Sequence, residues 1–271
     1  MADHDLIRSV ALGSACTAFV TVPTLGPLVG GGEQTARYDT VITPPDYAFV
    51  IWAPIFAGCA AATVAQVRPA GRTAASSRRT GWLLAGAFAT NTAWSVAAQT
   101  DRFALTPALL PVATAFAAGA HSRLQGVPPT EPATRVTAAA TGLLLGWTAV
   151  ASAVNVAAGA LLLGARKTSS RTVTASTVGL LGVSAALAGA VARTRTGALP
   201  LAAGPVWALA TTAATRDRPG PVRAAAAVGA LAIAAAARRS ARGSRRGPAA
   251  PHGRRPSPGP SHRPRGATDR G

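Results

Sequence analysis

Long apolar runs separated by short polar, arginine-bearing stretches dominate the chain. Eight runs read as helices, near residues 6–28, 45–67, 81–99, 103–119, 136–164, 173–192, 198–214 and 221–237. A bilayer core of about 30 Å takes about 20 apolar helical residues, so most of these runs have the length of a span. They are continuous and show no period-two alternation, and lipid obliges every backbone group to find its partner internally, so helices are expected over strands. The pattern predicts an all-α polytopic transmembrane bundle of about eight spans. The last two runs are short and alanine-rich; alanine favours helix but adds little transfer free energy, which leaves seven spans as the alternative.

Charge sharpens this picture. Only 13% of residues are charged, against about a quarter in soluble domains, and the nine acidic residues fall at the ends of apolar runs or between them. The formal net charge of +18 is concentrated: ten of the 27 basic residues lie between Arg238 and Arg270. That Pro, Gly, Ser and Arg-rich stretch cannot build a core and is expected to be a disordered, solvated tail over 239–271. It would attract anionic lipid headgroups, and its lack of aromatic residues for base stacking disfavours a nucleic-acid partner.

Loop arginines predict orientation. Over five spans the N-terminal side holds Arg8, Arg68, Arg72, Arg78, Arg79, Arg123 and Arg135, and the other side Arg37 and Arg102, which places the N-terminus in the cytoplasm. Beyond the fifth span the bias weakens, because Arg166, Lys167, Arg171, Arg216, Arg218 and Arg223 would lie outside against Arg193 and Arg195 inside. The basic tail favours a cytoplasmic C-terminus for eight spans. Asp3 and Asp5 precede the first run with no basic flank, so it is expected to be a retained span. Cys16 and Cys59 sit inside apolar runs and read as small buried hydrophobes, and the four histidines lack ligand spacing, so no metal site is predicted.

Candidate chemistry sits on three runs. Phe49, Trp52 and Phe56 follow Pro44-Pro45 at spacings that share one helical face; they read either as an aromatic wall for a flat apolar ligand or as helix packing. Asn91 and Trp94 share a face of the third run, where a buried asparagine either bonds a neighbouring helix or meets a polar spot in a cavity. Trp147, Ala151 and Asn155 share a face of the fifth and span about 12 Å, with a dent at Ala151 for a ligand or another helix. Gly142 and Gly146 form a small-xxx-small pattern that favours close helix approach.

In this order the three motifs resemble the signatures of the tryptophan-rich sensory protein family, also known as TspO, the translocator protein or peripheral benzodiazepine receptor. The motifs are Pro-Pro-x-x-x-Phe-x-x-Trp, Asn-x-x-Trp and Trp-x-x-x-Ala-x-x-x-Asn, and the resemblance covers about residues 1–164. It implies a five-helix core over 1–164, to which the remaining apolar runs over 165–238 add about three helices, as in a divergent, extended member. It also implies a homodimer and a pocket for a porphyrin, haem or sterol-like molecule lined by Phe49, Trp52, Phe56, Asn91, Trp94, Trp147, Ala151 and Asn155. The loop near 30–43 would be its lid. A Pro-Tyr pair that the family carries before the fifth-helix tryptophan is replaced here by Leu143-Leu144-Leu145-Gly146.

The expected function is therefore membrane ligand binding for sensing or regulation, in a plasma membrane of bacterial type, with the bilayer and a small hydrophobic molecule as partners. A transporter of such a molecule is the alternative, though no run carries an acidic residue near its centre for ion coupling. An enzyme is not expected, because no buried acid, base or nucleophile set can be assembled. Light-dependent porphyrin breakdown, which the resemblance suggests, would need no titratable group.

Overall fold

The computed structural model describes residues 2–26, 38–100 and 102–245, which form nine α-helices and two short 3-10 helices. The α-helices are α1 (Ala2–Leu25), α2 (Trp52–Val67), a one-turn α3 (Pro69–Arg72), α4 (Ala75–Gln99), α5 (Thr106–Leu124), α6 (Pro132–Leu162), α7 (Ser170–Arg193), α8 (Ala198–Ala214) and α9 (Gly220–Arg245). Each of the eight predicted runs is a helix. Six helical stretches are long and apolar enough to cross a membrane: Asp3–Leu25, Asp46–Val67, Phe103–Leu124, Pro132–Leu162, Ser170–Arg193 and Gly220–Arg242. Helix α8 is apolar but shorter. Helix α4 has the length, but it opens on Ser76-Ser77-Arg78-Arg79-Thr80 and carries Thr90, Asn91, Thr92 and Ser95 further along, which dilutes its hydropathy.

Helices α1, α2, α4, α5 and α6 close a ring: α1 packs on α2 and α4, α4 on α5, α5 on α6, and α6 back on α2. The last three helices form a second layer. Helix α8 lies along α6, and α9 fills the angle between α7 and α8, whereas α7 touches α6 only lightly.

Glycine sets the join between the layers. A Cβ on Gly146 would stand 2.2 Å from the Leu201 carbonyl oxygen, one on Gly142 2.9 Å from the Gly197 carbonyl oxygen, and one on Gly204 2.9 Å from the Trp147 amide nitrogen. Lipid supplies no hydrophobic force between helices, so such backbone proximity and its dispersion contacts drive the association. The glycine that stands in place of the expected Pro-Tyr region is therefore the seat of α8. Leu144, Trp147, Leu201 and Leu209 are buried in one continuous core across the two layers.

Polar ties close the bundle's ends. At the N-terminal end, buried Asp5 pairs with Arg8 at 2.6 Å and Arg78 at 2.7 Å, and Gln125 Oε1 accepts from the Arg195 and Thr196 amides. That end also holds the 68–80 and 121–135 connections.

Two boundary differences have a local cause. Residues Asp46–Ile51 form a 3-10 helix and the α-helix starts only at Trp52, a tightening common at helix starts. Helix α9 continues to Arg245, into the stretch expected to be tail, because Ala235–237 and the following arginines are good helix formers; residues 246–271 lie outside the described residues. Of the expected lid at 30–43, residues 30–37 also lie outside them.

Candidate ligand-binding site

The Pro44-Pro45 step delivers a 3-10 turn whose Ala48 amide donates to the Pro45 carbonyl, and this turn carries Phe49 inward. Phe49 then meets Trp147 of α6 edge-on, ring centroids 5.7 Å apart, and Trp52 meets the same ring edge-on at 6.1 Å. Trp52 also stacks on Trp94 of α4 at 6.4 Å. Edge-to-face and offset geometries suit aromatic quadrupoles. Three tryptophans from three helices thereby converge on one cavity holding about 70 Å³ of free space, lined also by Ala151, Val154, Asn155 and Ala158.

The cavity has a fixed polar edge and a spare donor. Trp94 Nε1 donates to Asn155 Oδ1 at 2.9 Å, and Asn155 Nδ2 donates to the Ala151 carbonyl one turn back. Asn155 is thus held at both ends of its amide. Trp147 is 2% exposed, and its indole N–H has no acceptor among the described residues. A buried N–H without a partner costs on the order of 1–3 kcal/mol, so the site carries an unmet demand for an acceptor.

A cover lies over the cavity. Tyr38 stacks on Phe103 with centroids 3.5 Å apart, and both residues, with Thr43 and Pro44, line the space beneath. Thr40 and Thr43 lock this segment into a turn, the Thr40 amide donating to Thr43 Oγ1 at 2.9 Å. Asp39 anchors it from above: Arg218 of the α8–α9 connection pairs at 2.8 Å, and Lys167 of the α6–α7 connection at 2.6 Å. Arg218 also donates to the Thr40 carbonyl. Partial burial works to raise the Asp39 pKa, but hydrogen bonds from Arg218 and Lys167 outweigh it and hold the carboxyl below its ordinary value of 3.8. From α8, Trp207 Nε1 donates to the Ala48 carbonyl at 2.8 Å and Ala208 completes the wall.

The predicted residues divide at the Trp52–Trp94 pair. Phe49, Trp147, Ala151 and Asn155 face the covered cavity with them. Phe56 and Asn91 lie behind the pair, with Trp52 and Trp94 again, in a second space of about 250 Å³ that Phe19 and Pro23 help to line. Asn91 donates to the Ala87 carbonyl of its own helix, and its buried Oδ1 has no partner among the described residues. The residues that sequence reasoning passed over are Tyr38, Asp39, Phe103, Trp207 and Arg218. For Tyr38 and Trp207 the signal was scarcity, since the chain has only two tyrosines and five tryptophans.

A family model described as TSPO-like protein matches residues 15–238. The chain belongs to the TSPO-like protein family. As a TSPO-like protein with helices of membrane length it is an integral membrane protein. The match continues past the five-helix ring into α9, so the second layer that supplies Trp207, Ala208 and Arg218 belongs to the matched TSPO-like region. No curated protein and no solved structure matches the chain.

Proposed function

We propose that this TSPO-like protein binds a flat apolar molecule, of the porphyrin or sterol-like class, between Trp52, Trp94 and Trp147, and that occupancy serves sensing or regulation. The unpartnered indole N–H of Trp147 carries this reading, because a ligand bearing a carbonyl, carboxylate or ether oxygen would satisfy it. The surrounding rings offer edge and face contacts to a planar molecule, and the Trp94–Asn155 bond keeps one wall in register.

Size limits the reading in a useful way. The space of about 70 Å³ is well below the roughly 300–1,000 Å³ of pockets that hold drug-sized ligands. The arrangement is a closed one, and binding requires the 38–44 cover or the ring positions to shift. The lining offers a porphyrin apolar faces and one free donor but no His, Cys or Met side chain for an iron, so it suits the macrocycle itself in preference to axial ligation of haem. With the N-terminus in the cytoplasm, the covered end opens on the opposite face.

The test is a tryptophan-fluorescence titration of the detergent-purified protein with protoporphyrin, beside a Trp94→Phe, Asn155→Ala double variant and a Trp147→Phe variant. Saturable quenching that both variants weaken supports the site. Equal, non-saturating quenching in all three proteins would return these residues to helix packing.

A further inference from the structure

Small residues do two different things in this bundle. Gly142, Gly146 and Gly204 bring backbones into contact, but on α7 a Cβ at Gly179 or Gly182 would meet nothing within 4 Å. Gly179 lines a cleft of about 940 Å³ between α6 and α7, where the two layers barely touch. Its walls include Ala153, Ala157 and Ala160 of α6 and Ala175 and Gly179 of α7. Along α6 the cleft runs from Ala153 to Leu163, about 15 Å at 1.5 Å per residue. That is half of a bilayer core of about 30 Å, the depth of one leaflet.

One end of the cleft is basic. Arg166 and Arg171 line it where α6 ends and α7 begins, and neither side chain has an ion pair or hydrogen bond among the described residues. Their neighbour Lys167 is already committed to Asp39. An apolar furrow one leaflet deep with two uncommitted guanidinium groups at the headgroup level favours an anionic amphiphile over a neutral one.

We infer that this cleft seats one anionic phospholipid of the adjoining leaflet, an acyl chain lying between α6 and α7 and the phosphate held by Arg166 and Arg171. The lipid fills the seam between the two helical layers. This site is separate from the aromatic cavity, which lies on the inner side of α6.

The experiment is native mass spectrometry of the full chain released from vesicles of equal phosphatidylglycerol and phosphatidylcholine with identical chains. Three proteins are compared: wild type, Arg166→Ala with Arg171→Ala, and Gly179→Leu, whose side chain enters open space and narrows the furrow. Wild type is expected to retain one phosphatidylglycerol with a preference of about ten- to thirty-fold, the order that two arginines near a headgroup supply. The arginine variant should lose the preference, and Gly179→Leu should lose the bound lipid of either kind. Equal retention of both lipids by wild type, or retention untouched by both variants, overturns the inference. So does a change of oligomeric state in Gly179→Leu with lipid retention intact, which would make the cleft an interface between copies.

Discussion

Asp39 and Arg218 stand 179 positions apart in the chain and meet at 2.8 Å over the mouth of the aromatic cavity. The first residue belongs to the connection after α1 and the second to the connection between α8 and α9. Arg218 also donates to the Thr40 carbonyl, and Lys167 shares Oδ2 of the Asp39 carboxylate with it. The cover is thus fastened by both connections of the second layer that reach this end.

Replacing Arg218 by Met should loosen that cover. The Arg218 side chain is 8% exposed and the Asp39 side chain 29%, so the pair lies between surface and buried cases, and the expected cost is about 2 kcal/mol. Acrylamide quenching of tryptophan fluorescence should rise with the loss of thermal stability. Unchanged quenching would mean that the turn made by Thr40 and Thr43 holds the cover unaided.

Acid should act through the same carboxylate. Its folded-state pKa is lowered, so its contribution is fully present above its ordinary value and is lost as pH falls through the lowered one. The cover is expected to stay fastened at neutral pH and down to about pH 4, and to loosen below that. Asp39→Asn should abolish the pH dependence of quenching in this range. A wild-type transition centred near pH 6 would point to another group.

Trp94→Phe should cost about 1 kcal/mol, because it leaves buried Asn155 Oδ1 without its donor. Trp147→Phe loses no hydrogen bond, since its N–H has no acceptor among the described residues. Ligand affinity should fall in both, whereas the hydrogen-bond loss is confined to Trp94→Phe. Comparing thermal melts with binding isotherms separates the two; a Trp147→Phe variant with full ligand affinity would discount its indole as the ligand's donor.

Gly146→Ala should separate the layers. Its Cβ would lie 2.2 Å from a backbone oxygen of α8, and backbone cannot step aside as a flexible side chain can, so about 3 kcal/mol is expected. Gly182→Ala meets nothing within 4 Å and serves as the control. A cysteine crosslink between α6 and α8 should weaken in the first variant alone, and equal crosslinking in both would show that the helices tolerate a wider spacing.

Much of this was legible in the sequence because the governing signals are local. Run length located every major helix, and the spacing of Trp147, Ala151 and Asn155 placed them on the cavity face of one helix. Fixing the start of α2 at Trp52 required knowing that the Pro-Pro step winds a 3-10 turn. The split between Phe49 and Phe56 was hidden, because positions on one helical face still fall on opposite sides of a bulky residue between them, here Trp52. The partners of Asp39 were hidden too, since nothing local marks a pair separated by most of the chain. The excess of cations at 166–171 and 216–223, which blurred the orientation argument, has a partial structural account: Lys167 and Arg218 are counterions of Asp39.

Ala48 is fully buried, and its carbonyl takes the Trp207 N–H, donated from 159 residues further along the chain. At roughly 5–20 residues per second of synthesis, that donor is made about ten to thirty seconds after its acceptor. The five-helix ring is complete only once Leu162 is made, so for about two to nine seconds at that rate it exists with its wall unfinished and its carbonyl unmet. Assembly of the cavity is therefore ordered in time, and its closing step waits for α8.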